Sequence, residues 1–184
     1  MILRAAAGSD VGRRRAANED HYALAPDIGL YLVADGLGGH VAGQVASELA
    51  AEAALRTVRT LEGAAPSLAE KLRYAVTAAN REVHETARRR PELQGMGTTL
   101  VALLAQEGRA ALAHVGDSRA YLVRGERIRQ LTDDHSLVGE LLHKLNYRLQ
   151  ANRKTREGTH HPDRDAQFHY INERVKEALA AGEP

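Results

Sequence analysis

The chain contains no cysteine. Disulfides, thiolate nucleophiles and zinc–thiolate sites are therefore excluded, which fits a reducing, cytoplasmic setting. It also lacks an excess of charge of either sign. The 25 Lys and Arg stand against 24 Asp and Glu, for a formal net charge of +1, so no global field draws it to nucleic acid or anionic lipid. No apolar run approaches the roughly 20 residues of a membrane span, and no membrane partner is expected. Met1 to Ala7 is too short for the charged and apolar regions of a secretory signal. There is no internal repeat.

What is present is an ordinary balance for one folded domain: 184 residues, 43% hydrophobic and 27% charged, enough to build a core. One stretch organises the reading, Leu32-Val33-Ala34-Asp35-Gly36-Leu37-Gly38-Gly39-His40. The apolar run Leu30 to Ala34 reads as a buried strand, with Asp35 at its end. Gly36, Gly38 and Gly39 permit unusual backbone angles and close approach of a ligand. A carboxylate beside bare backbone carbonyls offers hard oxygen donors, suited to Mg²⁺ or Mn²⁺. The same residues also fit a strand-to-helix turn closed by a capping Asp.

Taken in order, Leu3 to Ala7 reads as a first strand and Ser9 to Asp20 as a polar loop with three consecutive arginines. Tyr22 to Leu24 and Gly29 to Ala34 read as strands about a Pro26-Asp27 turn. Val41 to Arg59 is Ala-rich with charges on one side, a helix with Ser47, Glu48, Glu52 and Arg56 outward. Ser67 and Glu70 have capping-box spacing. Leu68, Leu72, Val76, Ala79 and Val83 then recur at helical spacing, so a second helix runs to about Arg90 and stops at Pro91. His84 lies on its surface. After Gly97 the period changes. Thr98 to Leu104, Arg109 to Val115, Arg119 to Arg124 and Arg127 to Leu131 read as an antiparallel meander, with Asp117 in a turn. Thr98 and Thr99 read as strand residues. The composite is α+β.

Four stretches in this order carry a resemblance. They are Ser9 to Asp20, the Asp35-Gly36 stretch, Gly95-Met96-Gly97-Thr98-Thr99-Leu100 and His114-Val115-Gly116-Asp117-Ser118-Arg119-Ala120-Tyr121. Together they resemble the bacterial metal-dependent Ser/Thr protein phosphatases of the PP2C family, over about Ala7 to Leu137. The resemblance implies an incomplete PP2C-like antiparallel β-sandwich with packed helices. It implies hydrolysis of phosphoserine and phosphothreonine in a phosphoprotein, by water activated between two Mn²⁺ or Mg²⁺ ions. By the same resemblance Arg15 holds the substrate phosphate, and Glu19 and Asp20 hold metal-bound waters. Asp35 bridges the metals, the Gly36 carbonyl ligates one of them, and Asp117 helps bind an additional, weaker metal. Arg13 and Arg14 are read as solvated loop. Animal members carry a histidine where this chain has Leu37. His40 lies three residues further on, as in bacterial relatives, and no acid role is transferred to it.

Thr132 to Leu137 still follows the family. The family then continues to two more metal-binding aspartates, in a Ser-Asp-Gly and an Asp-Asn motif, and neither motif occurs after Leu137. The expected organisation is residues 1–137 as the N-terminal part of a phosphatase domain and 138–184 as a short helical tail. Lys144, Arg148, Arg153, Lys154 and Arg156 form a basic run that offers a nucleic-acid contact. Phe168, Ile171, Val175 and Leu179 recur at helical spacing. Leu149 to Gly158 and His161 to Phe168 resemble part of a bacterial insertion-sequence transposase, and His160, His161 and Asp163 read as polar linker. A truncated, chimeric chain is the simplest account, and a phosphatase with a natural, divergent tail is the alternative. At most one weakly bound Mn²⁺ or Mg²⁺ and little or no turnover are expected of it.

Overall fold

The computed structural model describes residues 3–38, 41–64 and 66–135. Two strands open the fold, β1 (Asp20–Ala25) and β2 (Leu30–Leu37), followed by two helices, α1 (Val41–Thr60) and α2 (Leu68–Arg89). A 3-10 turn at Pro91–Leu93 leads into β3 (Gly97–Thr98), β4 (Leu100–Gln106), β5 (Arg109–Val115), β6 (Tyr121–Arg124) and β7 (Arg127–Gln130). The main sheet has the order β1-β2-β4-β5, with β3 paired to the end of β2. Every described pairing is antiparallel.

The alternation along β2 decides which side faces the core. Leu30, Leu32, Ala34 and Gly36 are buried, while Val33, Asp35 and Leu37 are exposed. α1 packs on β1 and β2, α2 packs on β4 and β5, and the helices pack on each other. The stripe that α1 presents is made of small residues, including Ala42, Gly43, Ala46, Ala50, Ala53 and Ala54. Small side chains let its axis lie close to the sheet. α2 begins at the expected capping box. The Ser67 hydroxyl accepts from the Glu70 N–H, and the Glu70 carboxylate accepts from the Ser67 N–H at 2.9 Å. Such caps stabilise a helix by about 1 kcal/mol. Leu72, Ala75, Val76, Ala79 and Val83 of α2 are buried, and the helix ends ahead of Pro91, whose ring disfavours helical backbone in the residue before it.

On the far side of the sheet Tyr22, Leu24, Val33 and Leu103 are exposed. A second layer begins at one end of that face, where Val101 and Leu112 are buried against Ala120 and Leu131. The chain from 131 to 135 is tied down there. The Leu131 N–H donates to the Ala120 carbonyl at 2.8 Å, and the Thr132 hydroxyl accepts from the Ala120 N–H. Arg119 grips both oxygens of Asp134 at 2.8 and 2.6 Å. This α+β arrangement, helices on one face of an antiparallel sheet, is the fold class the sequence implies.

Three details differ from the sequence reading. Leu3 to Ala7 forms no strand among the described residues; it is exposed and has no ladder partner among them. The four-strand meander divides, because β6 and β7 form their own hairpin instead of extending the main sheet beyond β5. Ser47 does not point outward: it is fully buried. In an Ala-rich helix the apolar stripe is broad and shallow, so one polar residue within it looks like surface. The structure of residues 138–184 and of His40 lies outside the described residues.

Candidate metal and phosphate site

The β1–β2 register sets the site. Its six pairs run from Ala25↔Leu30 to Asp20↔Asp35, so two carboxylates stand directly opposite each other at the open end of the ladder. Asp35 projects on the face away from the helices, since Ala34 and Gly36 on either side of it are buried. Burial, chiefly, raises the Asp35 carboxyl above the usual carboxylate range, and Asp20 raises it further; Arg15 pulls it back in part, and Asp117 adds a smaller push upward. Two acids, Asp20 and Asp117, and one guanidinium, Arg15, therefore bear on Asp35.

The backbone around that point is held from several sides. The Asp35 carbonyl accepts from the Thr99 N–H at 2.9 Å and from the Thr98 hydroxyl at 3.0 Å. The Asp35 N–H donates to the Thr99 hydroxyl at 3.0 Å. The Glu19 carbonyl accepts from the Ser47 hydroxyl at 2.7 Å and from the Gly36 N–H at 3.1 Å. Asp20 is steadied from the loop: Ser9 donates to its carboxylate at 3.2 Å, and Asn18 donates to Ser9.

Gly36 is required by space. A Cβ there would fall on the Gly43 carbonyl of α1 and come within 2.8 Å of the Glu19 carbonyl. A Cβ on Gly43 would in turn meet the Glu19 carboxylate. The helix thus presses the acidic loop against the end of β2. Sequence reasoning missed Gly43 and Ser47, yet a signal was available. They lie four residues apart, on one helix face, and a glycine inside an Ala-rich helix marks close backbone approach.

A cleft of about 520 Å³ opens over this end of the sheet, lined by Arg14, Arg15, Ala16, Ala17, Glu19, Gly36, Leu37 and Gly38. Arg15, Glu19 and Gly36, three of the residues singled out from the sequence, line one cavity. Arg14, read as solvated loop, lines it too. Asp20, Asp35 and Asp117 are not among its lining residues. Asp117 sits in the bend between β5 and β6 and reaches Asp35 only through its charge.

The donor set fits a hard divalent cation. Carboxylates and backbone carbonyls are the oxygen ligands Mg²⁺ and Mn²⁺ prefer, and a cation between Asp20 and Asp35 would offset the repulsion that raises the Asp35 carboxyl. Asp35 and the Gly36 carbonyl are the oxygen donors that could hold it, with Asp20 directly across the ladder from Asp35. The set is partial: among the described residues no three His, Cys, Asp or Glu side chains converge as a complete ligand group. Among the described residues, too, no helix is long and apolar enough to cross a membrane.

A sequence model of the family described as protein phosphatase 2C matches residues 7–172. That match runs beyond Leu137, into the segment read from sequence as a tail. The serine/threonine protein phosphatase PstP of Mycobacterium tuberculosis is 46% identical over 143 residues, covering 77% of this chain and 27% of that protein. The serine/threonine phosphatase stp of Listeria monocytogenes is 42% identical, covering 73% of this chain and 55% of that one. Among solved structures, the catalytic domain of PstP in complex with two manganese ions superposes with a TM-score of 0.62 at 40% identity, covering 74% of this chain and 58% of that chain. The chain therefore spans from about a quarter to about half of the curated relatives it matches.

Proposed function

The chain belongs to the protein phosphatase 2C family, and on that premise we propose that its site is one flank of a metal-dependent centre that hydrolyses phosphoserine and phosphothreonine esters of proteins. The observation that carries this reading is the Asp20–Asp35 pairing beside Arg15. A planar guanidinium with paired donors suits phosphate oxygens, so Arg15 orients the phosphate in the cleft, with Arg14 beside it. Asp35 and the Gly36 carbonyl hold Mn²⁺ or Mg²⁺, Glu19 and Asp20 order the surrounding water, and Asp117 serves a further, weaker ion. Bound there, the metal supplies Lewis acidity and an activated water nucleophile. The two manganese ions bound to the PstP catalytic domain support this choice of metal. The lack of cysteine supports a cytoplasmic location.

We read the chain on its own as an impaired enzyme. Two divalent cations close together repel, and carboxylates on both sides must offset that repulsion. Asp20, Asp35 and Asp117 supply one side, while no Ser-Asp-Gly or Asp-Asn sequence follows Leu137. One ion then binds weakly, with a Kd near ~1 mM, as Mg²⁺-type ions do when they keep most of their waters. For residues 138–184 we keep the reading of a transposase-like fragment, with Lys144 to Arg156 as its nucleic-acid contact; sequence pattern alone supports it.

The test is phosphate release from a chromogenic phosphate ester in excess Mn²⁺, comparing the chain with its Asp35→Asn variant. Turnover near background in both is expected. Robust turnover that the variant abolishes would show that the missing ligands are supplied, and would overturn the impairment.

A further inference from the structure

We propose that the Thr99 hydroxyl is a positioning group that fixes Asp35 relative to Asp117 by bridging the two segments that carry them. The inference rests on the reading above, that both carboxylates face a metal ion. Thr99 lies between β3 and β4 and is 6% exposed. Its Oγ1 accepts the Asp35 N–H at 3.0 Å and lies 2.6 Å from the Ser118 Oγ. Ser118 is the residue after Asp117, so one buried hydroxyl ties the peptide of one acid to the neighbour of the other.

The bridge is braced on both sides. Thr99 also donates its own N–H to the Asp35 carbonyl, which leaves the Asp35 peptide no freedom to shift along β2 without breaking two bonds to one residue. On the other side Gly116 has φ +98°, and a Cβ there would come within 2.7 Å of the Thr99 Cγ2. The bend that carries Asp117 is thus pressed directly on Thr99. It is held there by a bond from the His135 N–H to the Gly116 carbonyl at 3.0 Å.

Hydroxyl chemistry makes the arrangement selective. A hydroxyl has one proton and two acceptor sites. Accepting from Asp35 uses one acceptor site, and the proton or the second site remains for Ser118. Serine can make both bonds. Valine, of nearly the same shape, can make neither and leaves the Asp35 N–H unpaired. Groups that orient a metal ligand in this way typically cost 10- to 100-fold in metal affinity when lost.

The experiment is a Mn²⁺ titration of the full chain, read by the EPR signal of free Mn²⁺, with circular dichroism confirming the fold of each variant. Thr99→Val is expected to weaken binding about tenfold, Ser118→Ala to weaken it in the same direction, and Thr99→Ser to leave it unchanged. Thr57→Val is the structural control. It removes a hydroxyl that bonds the Ala53 carbonyl inside α1, and so lowers stability without moving Mn²⁺ affinity. If Thr99→Val does not fold, Ser118→Ala breaks the same bridge from a loop and decides alone. Wild-type affinity in the bridge variants, with loss in Asp35→Asn, overturns the bridge and keeps the metal reading. Unchanged affinity in Asp35→Asn overturns the metal reading and the bridge with it.

Discussion

Asp20 and Asp35 are direct cross-strand partners at the open end of β1–β2. Their pairing is set far from the site, by the Pro26–Gly29 turn and by Leu30, Leu32 and Ala34, which are all buried against the helices. A slip of one residue would turn Asp35 into the core and expose Ala34. The core thus enforces a juxtaposition that is unfavourable in itself, since like charges directly opposite in a sheet destabilise it.

That cost predicts a stabilising substitution. The Asp35 carboxyl is raised, first by burial and then by Asp20, so the folded state binds its proton more tightly than the unfolded chain does. The resulting contribution is favourable below the unfolded value and is lost as pH rises through the raised folded value. Without metal, Asp35→Asn is expected to melt about 1–3 °C higher than wild type at pH 7. The gap should narrow on acidification and close toward about pH 3, below the ordinary Asp value of about 3.9, where Asp35 is largely protonated in both states. Paired thermal melts in chelator check it, and a gap that widens on acidification contradicts it.

Gly36 is predicted to tolerate no side chain. A Cβ would meet the Gly43 and Glu19 carbonyls, which are backbone atoms in packed elements. Overpacking of this kind costs about 1–3 kcal/mol. Gly36→Ala is expected to lose that much in urea unfolding. Gly43→Ala should cost less, because the nearest atom it meets belongs to the flexible Glu19 side chain. Equal stability of both variants and wild type would mean that α1 lies further from the sheet.

Much of this was legible from sequence because it rests on local pattern. The apolar strand that leads to Asp35 and the Ser67–Glu70 cap each need only a few neighbouring residues, although β2 runs on through Asp35 and Gly36 to Leu37 instead of turning there. What was not legible depends on elements meeting across the fold. Ser47 is buried because its hydroxyl reaches the Glu19 carbonyl from 28 residues away. Thr99 reads as a plain strand residue until β3 and β4 bring it to Asp35 and Ser118. The split of the meander follows from Gly116, whose positive φ turns the chain off the sheet after β5. Arg14 and Arg15 are neighbours of one type, and only the shape of the loop shows that both line the cleft.

The return of the chain at 131–135 is predicted to hang on Thr132. It is 1% exposed, and its hydroxyl accepts the Ala120 N–H at 3.1 Å. Thr132→Val keeps the volume and leaves that N–H without its acceptor, at a cost of about 1–3 kcal/mol. The measurement is the shift in urea midpoint, with amide exchange at Ala120 as the local readout. Unchanged exchange there would show that another acceptor takes over.

The central claim is that this chain carries a working metal and phosphate flank of a protein phosphatase 2C centre. It is tested most directly by joining residues 1–135 to the remaining C-terminal part of the PstP catalytic domain, and measuring Mn²⁺-dependent phosphate release from a phosphothreonine peptide. The account predicts release that Asp35→Asn abolishes and Arg15→Ala reduces by at least about tenfold, or ~1.4 kcal/mol of barrier. A soluble, folded hybrid that releases no phosphate, or whose release survives Asp35→Asn, would contradict it.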